Sequence, residues 1–189
     1  MVAEIIMFHH VQGLTSGVTA IAEEFRAAGH SVTLPDLFDG RTFETLDEGV
    51  GWVGEIGRST IVDRAYAAAT QLGPKLVYVG FSLGARPAQG LAQTRPGAQG
   101  AILFHGYHPV AEFADHWPAG VAFQAHWMKG DEWCNPEVAE ALRNDVEGAE
   151  LFTYPGSDHL FTDASVDDYD PTASRSAIER ALKLLEQLG

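Results

Sequence analysis

The stretch Lys75–Ala85 constrains this chain more than any other. Leu76-Val77-Tyr78-Val79 is apolar and largely β-branched and reads as a buried strand, while Ala85 to Gln93 reads as a helix. Between them stands Gly80-Phe81-Ser82-Leu83-Gly84. A Gly-x-Ser-x-Gly corner of this kind holds a serine on a sharp strand-to-helix turn with its hydroxyl exposed. The glycines have a mechanical role, because a side chain at Gly80 or Gly84 would crowd two backbones that approach closely. In a chain with 20 glycines the bare pattern carries little weight. The strand before it and the helix after it give it weight, and an active serine would require an acid, a histidine and an oxyanion hole elsewhere.

The rest of the chain alternates strand and helix. Ala3 to Phe8 reads as a first strand, followed by the polar loop His9-His10-Val11-Gln12-Gly13. Val18, Ile21, Ala22 and Phe25 fall at helical spacing, and Gly29 stops that helix. Ser31 to Pro35 is a second strand. Residues 43–72 are helix or loop, with the clearest helix from Ser59 to Leu72. Strands are predicted at Gly100–Phe104, Val121–Met128 and Glu150–Tyr154, with a helix opened by Asn135-Pro136 and a last one by Asp170-Pro171. Apolar rather than alternating strands imply a mostly parallel sheet of about six strands with helices on both faces, a three-layer α/β sandwich. Ligands of such sheets bind beyond the carboxyl ends of the strands. The polar clusters of this sequence stand at those ends.

At 189 residues the chain is expected to form a single domain spanning 1–189. Twelve Lys and Arg against 26 Asp and Glu give a net charge of −14, which argues against nucleic acid and anionic membrane surfaces as partners. One cysteine, Cys134, excludes an internal disulfide, and no secretory signal or transmembrane run is visible, so a cytoplasmic location is expected. Nothing in the sequence separates a monomer from a homodimer.

Downstream of Ser82, Asp131 follows one predicted strand and His159 another. The order Ser, Asp, His is that of the α/β-hydrolase fold. His159 would accept the Ser82 proton and return it to the leaving group, and Asp131 would hold the imidazole in the required tautomer. Glu132 and Asp158 compete with Asp131 for the acid role. The backbone N–H of Leu83 would donate to the oxyanion, joined by the N–H of Val11 from the loop after the first strand.

With these pieces in place the chain resembles the dienelactone hydrolase family. The matching segments are His10-Val11-Gln12-Gly13, Gly29-His30 with Leu34-Pro35-Asp36-Leu37, Gly80-Phe81-Ser82-Leu83-Gly84, Gly130-Asp131-Glu132, Tyr154-Pro155 with His159-Leu160-Phe161, and Tyr169-Asp170-Pro171. The resemblance implies an enzyme cleaving a small ester or lactone without metal or organic cofactor. Two positions depart from it. The family's founding members carry cysteine where this chain has Ser82, and a glutamate where it has His10. The family's usual N-terminal strands are also expected to be missing, since the sequence starts at the first core strand.

His10, Gln12, Phe38, His105 and Trp133 are candidates for a substrate pocket, with Trp117 and Trp127 as further aromatic walls. Arg86, one turn beyond Ser82, could meet a substrate carboxylate or serve structure alone. The His105-x-x-His108 pair lacks a carboxylate or thiolate partner at ligand spacing, so no metal site is assigned. Cys134 is expected to be a bystander. Only about 15 residues separate the fourth and fifth strands, too few for a helical lid domain. Thioesterase or acyltransferase chemistry with the same residues, a metallohydrolase, or an inactive binding protein on the same fold remain as alternatives.

Overall fold

The computed structural model describes residues 2–188. Six strands, β1 (Glu4–Phe8), β2 (Ser31–Thr33), β3 (Val77–Phe81), β4 (Gly100–Phe104), β5 (Ala122–Met128) and β6 (Glu150–Tyr154), lie in the order β2-β1-β3-β4-β5-β6. Every neighbouring pair is parallel. Six α-helices accompany them: α1 (Ser16–Ala27), α2 (Leu46–Ile56), α3 (Arg58–Thr70), α4 (Ala85–Thr94), α5 (Pro136–Asp145) and α6 (Pro171–Leu188).

Successive side chains of a strand point to opposite faces, and this alternation builds the layers. Ile6 and Phe8 of β1 and Ala101 and Leu103 of β4 face one core, where α2 to α5 contribute Val53, Ile61, Ala88 and Leu142. Ile5 and Met7 of β1 and Ile102 and Phe104 of β4 face the other, where α1 and α6 contribute Val18, Phe25, Ile178 and Leu185. Each of the larger side chains among them contributes about 1.5–3 kcal/mol when fully buried, so both faces of the central strands must be covered. The result is the three-layer α/β sandwich.

The chain leaves β1 to one side to form β2, then from β3 onward adds strands on the other side. The direction of winding reverses between β1 and β3, and a crevice opens beyond their carboxyl ends. That crevice receives the serine turn and the His9–Gly13 loop.

Two stretches differ most from the sequence reading, other ends shifting by a residue or two. Residues 43–72 hold two helices, not one clear one. Thr45 and Glu48 form a reciprocal capping box that opens α2, and Gly57, at φ 86°, separates α2 from α3. Gly49, Gly51 and Gly54 lower the helix propensity of α2 and hide it in the sequence. Strand β2 stops at Thr33, because Pro35 offers no N–H and restricts the residue before it. No helix among the described residues is long and apolar enough to cross a membrane.

Candidate active site

Ser82 follows β3 directly and has φ 49°, a left-handed conformation that is strained for a residue with a side chain. Its surroundings enforce it. A Cβ on Gly80 would stand 2.3 Å from the Gly84 carbonyl oxygen, and one on Gly84 would stand 2.3 Å from the Phe8 carbonyl oxygen. Both obstacles are backbone, so the turn closes only with glycine at these two positions.

Ser82 Oγ lies 2.7 Å from His159 Nε2, and His159 Nδ1 lies 2.8 Å from Asp131 Oδ2. Asp131 and His159 are both buried. A proton on Nδ1 facing the carboxylate leaves Nε2 with a lone pair aimed at the serine hydroxyl. Asp131 Oδ1 also accepts from the Trp133 N–H at 2.9 Å, which fixes the carboxylate in its plane. Glu132 and Asp158 form no hydrogen bond with His159. The two loops are laced together at their roots, with Lys129 N donating to Tyr154 O and Gly130 N to Gly156 O, both at 2.8 Å.

Cys134 is not the bystander expected of it. Its thiol stands 3.4 Å from Asp131 Oδ2. Burial, and then the Asp131 charge, push its pKa up, so the thiol stays protonated and donates.

A cleft of about 260 Å³ opens over Ser82. Val11 and Leu83 line it, placing both candidate oxyanion residues beside the serine. Leu46, Val50 and Val53 of α2, with Ile61 and Val62 of α3, supply an apolar wall that sequence reasoning missed. The apolar positions 46, 50 and 53 carry a helical spacing that could have revealed it. Trp133, 58% exposed, forms the rim and sets its ring 5.5 Å from that of His159. Arg58, Arg86 and His108 line the cleft as well. Arg86 pairs with Glu112 and lies over the Phe113 ring. Burial, partly opposed by the Glu112 charge, brings the His108 pKa down to about 4.

His105 also lines the cleft. Its Nε2 is 2.7 Å from Thr162 Oγ1, its Nδ1 has no hydrogen-bond partner among the described residues, and burial holds its pKa well below the ordinary histidine range. The other proposed pocket residues lie elsewhere. His10 is buried against Asp163, with Nε2 to Oδ2 at 2.7 Å. Gln12 donates to the carbonyls of Phe43 and Glu44, fastening the entry to α2. Phe38 is fully buried, packed edge-on to His9 and Trp52. Trp117 and Trp127 belong to the core, where their rings meet Phe123 and Tyr107. Among the described residues no group of three or more His, Cys, Asp or Glu side chains could hold a metal ion.

A model of the dienelactone hydrolase family matches residues 2–189. No curated protein matches the chain. Among solved structures, a dienelactone hydrolase-like promiscuous phosphotriesterase from metagenomic libraries is 20% identical with a TM-score of 0.79, covering 98% of this chain and 86% of its own. A dienelactone hydrolase from Anabaena variabilis is 19% identical with a TM-score of 0.70, at 98% and 87% coverage. An esterase from Thermogutta terrifontis is 18% identical with a TM-score of 0.64, at 99% and 84% coverage. At these identities the structural likeness speaks to the fold.

Proposed function

The chain belongs to the dienelactone hydrolase family, and from that premise we propose that it is a serine hydrolase cleaving a small ester or lactone through an acyl-Ser82 intermediate. The observation that carries the reading is the unbroken chain from Ser82 Oγ through the His159 ring to Asp131, at 2.7 and 2.8 Å.

Ser82 Oγ attacks the substrate carbonyl as its proton passes to His159 Nε2. The imidazolium that forms is stabilised by Asp131. The tetrahedral oxyanion accepts from the N–H groups of Leu83 and Val11. Collapse breaks the bond to the leaving oxygen, which takes the proton from His159. Water then repeats the sequence on the acyl-enzyme and releases the acid; a lactone gives a hydroxy acid. The apolar wall of α2 and α3 would hold the acyl part, and the small cleft favours compact substrates.

The family's founding members carry a cysteine nucleophile and a first-loop glutamate where this chain has Ser82 and His10. Here His10 is bonded to Asp163, so Ser82 depends on His159 alone for its base.

Intact-mass labelling with a fluorophosphonate tests the reading. Wild type should gain one adduct, mapped to Ser82, and Ser82→Ala should gain none. Turnover of p-nitrophenyl acetate should fall by about 10⁴–10⁶ in Ser82→Ala and in His159→Ala. A folded wild type that takes no adduct would overturn the proposal.

A further inference from the structure

Two adjacent histidines, His9 and His10, are both fully buried beside the cleft, and the chemistry above uses neither. Their hydrogen bonds give them opposite tautomers. His9 Nε2 accepts from the Leu37 N–H at 3.0 Å, so its proton sits on Nδ1, which is 2.8 Å from the carbonyl oxygen of His10. His10 Nδ1 accepts from the Gln12 N–H at 3.2 Å, so its proton sits on Nε2 and is donated to Asp163 Oδ2.

Asp163 is a buried anchor. Its Oδ2 also accepts from the Thr15 hydroxyl, and its Oδ1 accepts from the N–H and hydroxyl of Ser165 at 2.8 and 2.6 Å. A Cβ on Gly17 would stand 1.7 Å from Asp163 Oδ1, so the first turn of α1 closes over the carboxylate only as glycine.

These bonds converge on one peptide unit. The His10 carbonyl receives the His9 Nδ1–H and the Gly13 N–H, the latter at 3.0 Å. A trans peptide is planar, so a carbonyl held by two donors fixes the N–H on the opposite edge of the same plane. That N–H belongs to Val11, which lines the cleft and forms no hydrogen bond with a described residue. The next peptide is held too, because a Cβ on Gly49 of α2 would stand 2.2 Å from the Val11 carbonyl oxygen.

We propose that His9 and His10 are positioning residues whose paired, opposite tautomers orient the His10–Val11 peptide as an oxyanion donor, with Asp163 as their anchor. The inference rests on the serine-hydrolase reading. His9 governs the carbonyl edge of the peptide, and His10 ties its α-carbon to the segment that follows His159. A rigid donor of this kind costs no reorganisation when charge develops, and its loss is felt in the transition state rather than in substrate binding.

Two substitutions separate orientation from mere packing. Asn at position 9 keeps an amide donor near the site of Nδ1 and loses the bond to Leu37. Gln at position 9 keeps a polar group near the site of Nε2 and loses the donor to the His10 carbonyl. With p-nitrophenyl acetate, His9→Gln should lose at least about tenfold in kcat with KM within about threefold, and should bind a trifluoromethyl ketone at least about tenfold more weakly. His9→Asn should stay within about threefold of wild type on all three counts. Equal behaviour of the two variants would overturn the proposal. So would the unmodified protein if nitrogen NMR of its imidazoles showed His9 protonated on Nε2 or His10 on Nδ1, a measurement that needs no variant. Failure of wild type to label at Ser82 would instead remove the hydrolase reading, which the tautomers do not report.

Discussion

Ser82 shows what a single residue in this fold carries. Its left-handed backbone is held by the Gly80 and Gly84 contacts, and its hydroxyl meets His159 only because the turn stays closed. In the proposed mechanism Asp131 acts through geometry in the same way. Asp131→Asn should leave the melting temperature nearly unchanged and lower kcat about 10⁴-fold, since an amide donor facing Nδ1 favours the wrong tautomer. A drop of less than about tenfold would mean that another group orients His159. The Ser, Asp and His positions were legible in sequence because each is a chemistry-bearing residue just past an apolar run. The placement of His10, Gln12 and Phe38 was not. Their residue types fit a pocket, yet hydrogen bonds to Asp163, Phe43 and Glu44, and packing against His9 and Trp52, turn them to structural work. A partner such as Asp163, 153 residues from His10, leaves no local pattern to read.

Among the elements, α2 was the one the sequence concealed, and it lines the cleft. Its three glycines are not equivalent. Gly49 is required by the Val11 carbonyl, whereas a Cβ at Gly51 or Gly54 meets nothing within 4 Å. Gly51→Ala and Gly54→Ala should therefore each stabilise the protein by about 0.5–1 kcal/mol in urea denaturation, and Gly49→Ala should destabilise it. Stabilisation by Gly49→Ala would contradict the close approach of α2 to the first loop. Strands β1, β3 and β4, by contrast, were plain in the sequence, because burial on both faces demands continuous apolar runs.

For the whole molecule, acid sensitivity follows from histidines buried without charge. Burial lowers the pKa of His9 to about 4 and that of His126 to about 3. His126 lies stacked between Phe104 and Phe152 and is bonded to Gln124 and Tyr154. An unfolded chain takes up these protons near pH 6.5, so between that value and the folded pKa the unfolded state binds more protons and stability rises with pH. The contribution is complete above about pH 6.5 and is lost as the pH falls, with a limiting slope of about 1.4 kcal/mol per pH unit for each histidine. Asp163 adds to the loss at lower pH. Its hydrogen bonds from His10, Ser165 and Thr15 outweigh desolvation and hold its pKa at about 2. The urea midpoint should be flat between about pH 7 and 8 and fall steadily from pH 6.5 to 4; a midpoint unchanged at pH 4.5 would refute this account. The contact between His10 and Asp163 also has a consequence for how the protein is made. A ribosome delivers the first loop early and its anchor 153 residues later, with His159 emerging only just before it. The nascent polypeptide therefore carries its serine turn through 77 further residues of synthesis, from Ser82 to His159, before the histidine that the proposed mechanism requires has been made.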